Sequence, residues 1–388
     1  MYKEIIKENK NIKNMKKKIL IIGEVYSDNL GDAVLCEIVK NIIKENVYCD
    51  IELCDLSGRE FYGKYFNYKW YERIIKKIAL ILFKFNLINS GEINILFKNN
   101  YYNNFDKPYD LVIFAGGQML MDYFVFPIEK LIKIFKKRNI PVIFHACGAK
   151  EIENRKLEKR LKKILLLDIV KSISIRDDIN LVNTKYLMTS KKKAVKTFDT
   201  ALCTNEYFNV NKVRKESIVG LGIMNCDRFR DEKQIIFWSN LIDELDKRKI
   251  KWQLFCNGSE ADYKMLKNIV VRKNLNKNQY LMRPKTAQDL VNVISNFNKI
   301  ISFRLHSHII AASMGIPTIG ISWEKKVNQF FYNLGLEYRC KTINTSVQDI
   351  VDCLELVEKE GINNNIIKKQ SYLSKKSLLD DINRIIKS

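Results

Sequence analysis

The sequence predicts an α/β protein of two Rossmann-like domains facing a cleft. Three observations carry that expectation. Short apolar runs alternate with amphipathic stretches through the first half. The same alternation restarts at residue 217, after a polar connection. The chain of 388 residues also exceeds what one hydrophobic core usually serves.

The run "KKILIIG" (17–23) is apolar and closed by glycine, the pattern of a buried parallel strand. "GDAVLCEIVKNIIKE" then carries Val34, Leu35, Ile38, Val39 and Ile42 at helical spacing, and 48–57 reads as a second strand. Residues 59–105 are irregular, rich in aromatics and lysine, with helical character. A strand in 109–122 runs into a glycine turn. A helix (127–139), a strand (140–148), a helix (156–170) and a strand (172–178) follow, before "AVKTFDTAL" (194–202).

The polar stretch 205–216 is the expected linker, so the domains are read as 1–205 and 206–388. In the second domain, strands at 217–225, 251–259, 299–303 and 316–322 alternate with helices at 232–248, 260–273, 287–296 and 307–315. Residues 341–388 read as polar helices that belong with this second domain in sequence and, by analogy of fold, cross back to the first.

Composition narrows the function. There are 67 basic and 44 acidic residues, a net charge of +23. Lysine dominates, however, and neither an arginine-rich groove nor a nucleic-acid module is present, so no nucleic-acid partner is expected. Nine cysteines are scattered without a CxxC pair, which suits reduced thiols in the cytoplasm. The basic N-terminus lacks a small-residue cleavage site, and no apolar run reaches 18 residues. The basic aromatic segment 68–85, "YKWYERIIKKIALILFKF", reads first as a helix packed on the core. Its other reading is peripheral contact with an anionic membrane at the inner face.

Only three histidines occur, and two of them sit in "ISFRLHSHIIAASMGIPTIGIS" (301–322). Arg304, Leu305 and His306 fall where a strand switches to a helix, the place where open α/β sheets bind ligands. Arginine there offers a two-pronged fork to a carboxylate or phosphate. Histidine there titrates near neutrality and can move protons. Ser307 or Ser302 would organise the turn, and His308 is expected to pack against the sheet. His145, at another strand end, is read equally as cleft wall or as packing. Gly116 and Gly117 let bare backbone approach a ligand, and Asn29 or Asp32 would cap the first helix or line the cleft. No GxGxxG, Walker, DxD, HExxH or cysteine cluster occurs, so no metal is expected.

Taken jointly, "NLGD" (29–32), "FAGGQMLMD" (114–122), "ISIRDD" (173–178), "FDTAL" (198–202), "RLHSHIIAASMGIPTIGIS" (304–322) and "KVNQFFYNLGL" (326–336) resemble the polysaccharide pyruvyl transferase family. The resemblance implies a GT-B-like architecture and transfer of pyruvate from phosphoenolpyruvate to two hydroxyls of a sugar, as a ketal. Phosphoenolpyruvate is then a co-substrate, and no cofactor is implied. By the same resemblance Arg304 holds the donor's carboxylate or phosphate, Arg176 is a further anion contact on the opposite cleft wall, His306 is the acid–base or phosphate-contacting group, and Asn29 and Asp32 line the N-terminal side; one histidine with a carboxylate such as Asp32 could serve both proton transfers. The acceptor would be a sugar or lipid-linked oligosaccharide of an exopolysaccharide or capsule precursor. The family pattern is modified here at Ala115, ahead of Gly116 and Gly117, and at Thr200.

Two other readings stand beside this one. A nucleotide-sugar glycosyltransferase of the same architecture would set Arg304 on a diphosphate and Glu324 on a ribose. A binding protein that keeps the fold would need neither group for turnover.

Overall fold

The computed structural model describes residues 16–62, 78, 90–210 and 217–386. The segment 68–85, apart from Ile78, and the last six residues of the expected linker lie outside them. Strands β1 (Lys17–Gly23), β2 (Cys49–Asp55), β3 (Leu111–Ala115), β4 (Gln118–Leu120), β5 (Val142–Ala149), β6 (Val170–Ile175) and β7 (Val195–Lys196) form the first sheet. It is parallel, in the order β2-β1-β3-β5-β6-β7, with β4 beside β5. The second sheet, also parallel, has the order β12-β11-β10-β8-β9. Its strands are β8 (Val219–Ile223), β9 (Trp252–Cys256), β10 (Lys299–Ser302), β11 (Thr318–Ser322) and β12 (Cys340–Thr342).

The central strands are buried from end to end, which is why they read as unbroken apolar runs rather than alternating ones. Helices α1 (Leu30–Asn46), α2 (Ser90–Asn103), α3 (Val125–Lys137) and α4 (Arg155–Leu165) accompany the first sheet. Helices α5 (Asp231–Lys247), α6 (Glu260–Lys273), α7 (Ala287–Ser295), α8 (Leu305–Ser313), α9 (Lys325–Asn333) and α10 (Val347–Glu360) accompany the second, and α11 (Asn364–Ile386) ends the described chain. The helix expected over 156–170 stops at Leu165, because the next strand already needs Val170. Its start is fixed by Asn154, whose side chain accepts from the backbone N–H groups of Lys156 and Leu157.

The two halves are in close contact along one side. Val34 and Ile38 of α1, Leu290 and Ile294 of α7, and Ile309 and Ala312 of α8 belong to one continuous apolar cluster. The Leu30 N–H donates across the seam to the Asn257 carbonyl at 2.9 Å. Helix α11 follows the second sheet in sequence but lies on the first, touching β3, β5 and β6. There Ser172 donates to Asp381 at 2.6 Å and Ser374 donates to the Phe198 carbonyl at 2.9 Å. Among the described residues no helix is long and apolar enough to cross a membrane.

Candidate active site

The carboxyl ends of both sheets face the seam, and the N-termini of α1 and α8 meet there. Aligned N–H groups at a helix N-terminus favour negative charge. Two of them at one point make the seam a natural seat for an anion. Close approach of the two helices depends on Gly31: a Cβ at that position would lie 2.3 Å from the His306 Cβ.

His306 sits in the first turn of α8, not ahead of it as the sequence suggests, because Arg304 takes the N-cap position. The imidazole is buried and set between two carboxylates of the first half. Its Nδ1 lies 3.8 Å from Asp32 Oδ1, and its Nε2 lies 3.8 Å from Asp199 Oδ2. The Arg176 guanidinium reaches Nε2 at 3.3 Å. Burial holds the imidazole below its ordinary pKa, although Asp32 and Asp199 pull the other way. Burial therefore favours neutral His306.

Asn29 occupies the N-cap of α1 without capping it. Its amide donates to Asp32 Oδ2 at 2.8 Å instead, so it aims the carboxylate at the histidine. The Asn29 Oδ1 is buried without a hydrogen-bond partner. Gly116 and Gly117 both adopt positive φ, +60° and +73°, as the loop leaves β3 and turns over α1. The nearest atom to a Cβ built on Gly117 would be Asp32 Oδ1 at 3.4 Å.

The two arginines come to the site with partners of their own. Arg176 forms a buried ion pair with Asp199. Arg304 donates its fork to Asp262, from Nε at 2.8 Å and Nη2 at 2.7 Å. Asp262, near the start of α6, is fully buried and also accepts from the Asn225 N–H. The fork that was expected to hold an anionic ligand is thus engaged by a protein carboxylate. Leu305, beside it, contributes apolar packing to the seam.

Ser307 does not cap α8; its hydroxyl donates to Asn257 Oδ1 at 2.7 Å. The Asn257 Nδ2 is left buried and unpartnered. His145 stands behind the site, with Nε2 3.0 Å from the Thr200 hydroxyl, and burial pushes its pKa down to about 4. His308 packs beside Phe330 and Phe331, with Nε2 on the Ser302 carbonyl at 3.0 Å. Both are neutral packing groups in this fold. Glu324, the ribose ligand of the nucleotide-sugar reading, is already surrounded by Lys150, Arg228 and Lys326.

Asp199 and Asp262 were not singled out from the sequence as site residues, nor was Gly31. Asp199 lies inside "FDTAL", and Gly31 inside "NLGD", so position next to a family-like motif was the only signal available. Nothing marked Asp262, an ordinary first-turn acid of an amphipathic helix. Among the described residues no group of three His, Cys, Asp or Glu side chains is placed to hold a metal.

The comparisons with known proteins bear on fold and family separately. A search of curated proteins brought no match to the sequence. Among solved structures, the S. aureus MnaA–UDP co-structure aligns with a TM-score of 0.54 at 13% identity, over 95% of this chain and 96% of that one. A putative UDP-N-acetylglucosamine 2-epimerase from Listeria monocytogenes aligns with a TM-score of 0.59 at 11% identity, over 95% and 96%. At such identities the likeness shows the fold alone: two parallel-sheet α/β domains in the GT-B arrangement. The sequence pattern of the polysaccharide pyruvyl transferases matches residues 29–325, from the Asn29 that aims Asp32 to the first turn of α9. That span contains Asn29, Asp32, Arg176, Asp199, Asp262, Arg304 and His306, and the chain belongs to the polysaccharide pyruvyl transferase family.

Proposed function

We propose that the protein transfers pyruvate from phosphoenolpyruvate to two hydroxyls of a sugar in a glycan precursor, forming a ketal and releasing phosphate. The observation that supports this reading is the placement of a neutral, buried His306 between Asp32 and Asp199, beside Arg176 and at the junction of two helix N-termini.

The reaction needs protons moved and charge stabilised. One sugar hydroxyl adds to C2 of the donor, its proton passes to C3, and the methylene becomes a methyl. Phosphate then leaves with the bridging oxygen, the second hydroxyl adds to C2, and its proton leaves with the phosphate. A neutral imidazole can take the first hydroxyl proton and pass it to C3, provided the imidazolium formed between is stabilised. Asp32 and Asp199, one beside each ring nitrogen, supply that stabilisation. Arg176 and Arg304, with the helix N-termini, would face the donor carboxylate and the departing phosphate. For Arg304 this requires that the donor share or displace the Asp262 contact.

The similar structures named for UDP keep the nucleotide-sugar reading in view. The enclosure of Glu324 by three cations speaks against its ribose role. Phosphate release from phosphoenolpyruvate, dependent on a glycan acceptor and accompanied by a ketal in the product, tests the proposal. Hydrolysis or transfer from a nucleotide sugar under the same conditions, with phosphoenolpyruvate inert, would overturn it.

A further inference from the structure

One cavity is shared by the two halves at the seam. Arg176, Asp177 and Asp199 of the first half line it, with Leu305, Lys326 and Phe330 of the second. It measures about 40 Å³. One water needs roughly 10–15 Å³ of such space, so the cavity admits a single carboxylate or phosphate group. The described charged groups in its wall are two cations and two carboxylates. Arg176 is spent within the wall, in its buried pair with Asp199. Lys326 differs, because its partner Glu324, 3.0 Å away, lies outside the described lining.

Lys326 is also the cation most readily released. Its side chain is 20% exposed and that of Glu324 17%, and partly exposed ion pairs hold weakly. Glu324 keeps Arg228 at 3.7 Å and Lys150 at 3.9 Å when Lys326 turns away. The pair of Arg176 with Asp199 and the fork of Arg304 on Asp262 are buried, and breaking a buried pair is costly. Lysine has a flexible stem and three rotatable donors, which suits a change of partner. A fixed platform guides it: the Trp323 indole N–H donates to the Phe303 carbonyl at 2.9 Å, and Lys326 Nζ lies 4.9 Å from the ring centroid.

We propose that Lys326 is a donor-binding residue whose ammonium passes from Glu324 to an anionic group of phosphoenolpyruvate entering this cavity. The assignment rests on the pyruvyl-transfer reading for the identity of the anion. The exchange has a consequence at His306. Burial lowers the pKa of that imidazole, Asp32 and Asp199 raise it, and the charges of Arg176 and Lys326 lower it. A donor that takes up the Lys326 charge removes one of the influences that hold His306 neutral. The histidine thus becomes a stronger base when the donor is seated, and not before.

Calorimetric titration of the full chain with phosphoenolpyruvate, paired with an NMR titration of the imidazole signals, is the experiment. The chain has three histidines, and burial lowers His145 and His308 to about 4, so the remaining titration reads His306. K326M keeps the stem and removes the charge, and should weaken phosphoenolpyruvate by about tenfold or more. K326R keeps the charge and should stay within about threefold of the wild type. Without donor, the His306 midpoint should lie higher in K326M than in the wild type. Adding phosphoenolpyruvate should raise it further in the wild type than in K326M. Unchanged affinity in K326M would overturn the contact and leave the donor reading intact. Equal loss in K326M and K326R would assign the effect to packing on Trp323 and overturn it as well. An unmoved midpoint in donor-free K326M would overturn the link to His306. A wild type that binds no phosphoenolpyruvate would overturn the donor reading itself, and this assignment with it.

Discussion

His306 and Asp32 face each other across the domain seam at 3.8 Å, one from the first turn of α8 and the other from the first turn of α1. Neither half alone holds the pair. Its geometry therefore depends on how the halves are docked, and on the glycine that lets the helices touch.

Replacing His306 by Gln keeps the shape and removes the titrating group. Turnover is expected to fall about 10²–10⁴-fold, with the melting temperature little changed. Phosphate release at the normal rate in this variant would remove His306 from proton transfer.

Gly31→Ala places a methyl 2.3 Å from the His306 Cβ, a contact that the packed seam can relieve only by parting. A loss of about 1–3 kcal/mol in stability is expected, together with lowered turnover. Denaturant unfolding followed beside activity checks both. Unchanged values would show that the two helices are not held as closely in solution.

Arg304 and Asp262 can be separated as partners by mutation. Arg304→Ala leaves a fully buried carboxylate uncompensated and should cost about 3–5 kcal/mol. Asp262→Asn frees much of the arginine's fork. If Arg304 also holds the donor, Asp262→Asn retains phosphoenolpyruvate binding and Arg304→Ala loses it. Loss of donor binding in both, in step with stability, would make the arginine a structural pin of the α6–α8 corner.

His145 and His308 give the fold a defined pH response. Burial lowers both pKa values to about 4, from an unfolded value near 6.5. The unfolded chain binds protons in this interval and the native one does not. Their stabilising contribution is therefore complete above pH 6.5, declines as pH falls toward 4, and amounts to about 3 kcal/mol for each histidine. Unfolding curves between pH 7 and 4 should show the decline, and His308→Gln should flatten part of it. A flat profile in the wild type would mean that the two imidazoles protonate within the native fold.

The sheets and most helices were legible because their signals are local. Unbroken apolar runs such as "ILII" and "LVIFA" suit strands covered on both faces, and the structure covers them. The position of Arg304 and His306 at a strand-to-helix switch was equally local. What those groups touch was not. The fork of Arg304 goes to Asp262, 42 residues earlier, and Asp199 reaches His306 from the other half. Such pairings are decided by how two sheets dock, and the helical pattern of α6 looks the same whether Asp262 meets solvent or an arginine. Asn29 shows a different kind of error: its position reads as a helix cap, and a local contact three residues on takes its amide to Asp32 instead.

The return of α11 to the first sheet bears on how the molecule is made. Synthesis proceeds from the N-terminus, and the strands of the first sheet are complete long before residues 364–386 emerge. Until they do, the patch around β3, β5 and β6 that this helix covers stays open, and Ser172 and the Phe198 carbonyl lack the partners they have in the finished fold. The first half is thus begun first and finished last. A fragment ending ahead of Asn364 would carry both sheets and the whole candidate site, yet expose an apolar face on the half that supplies Asp32, Asp199 and Arg176.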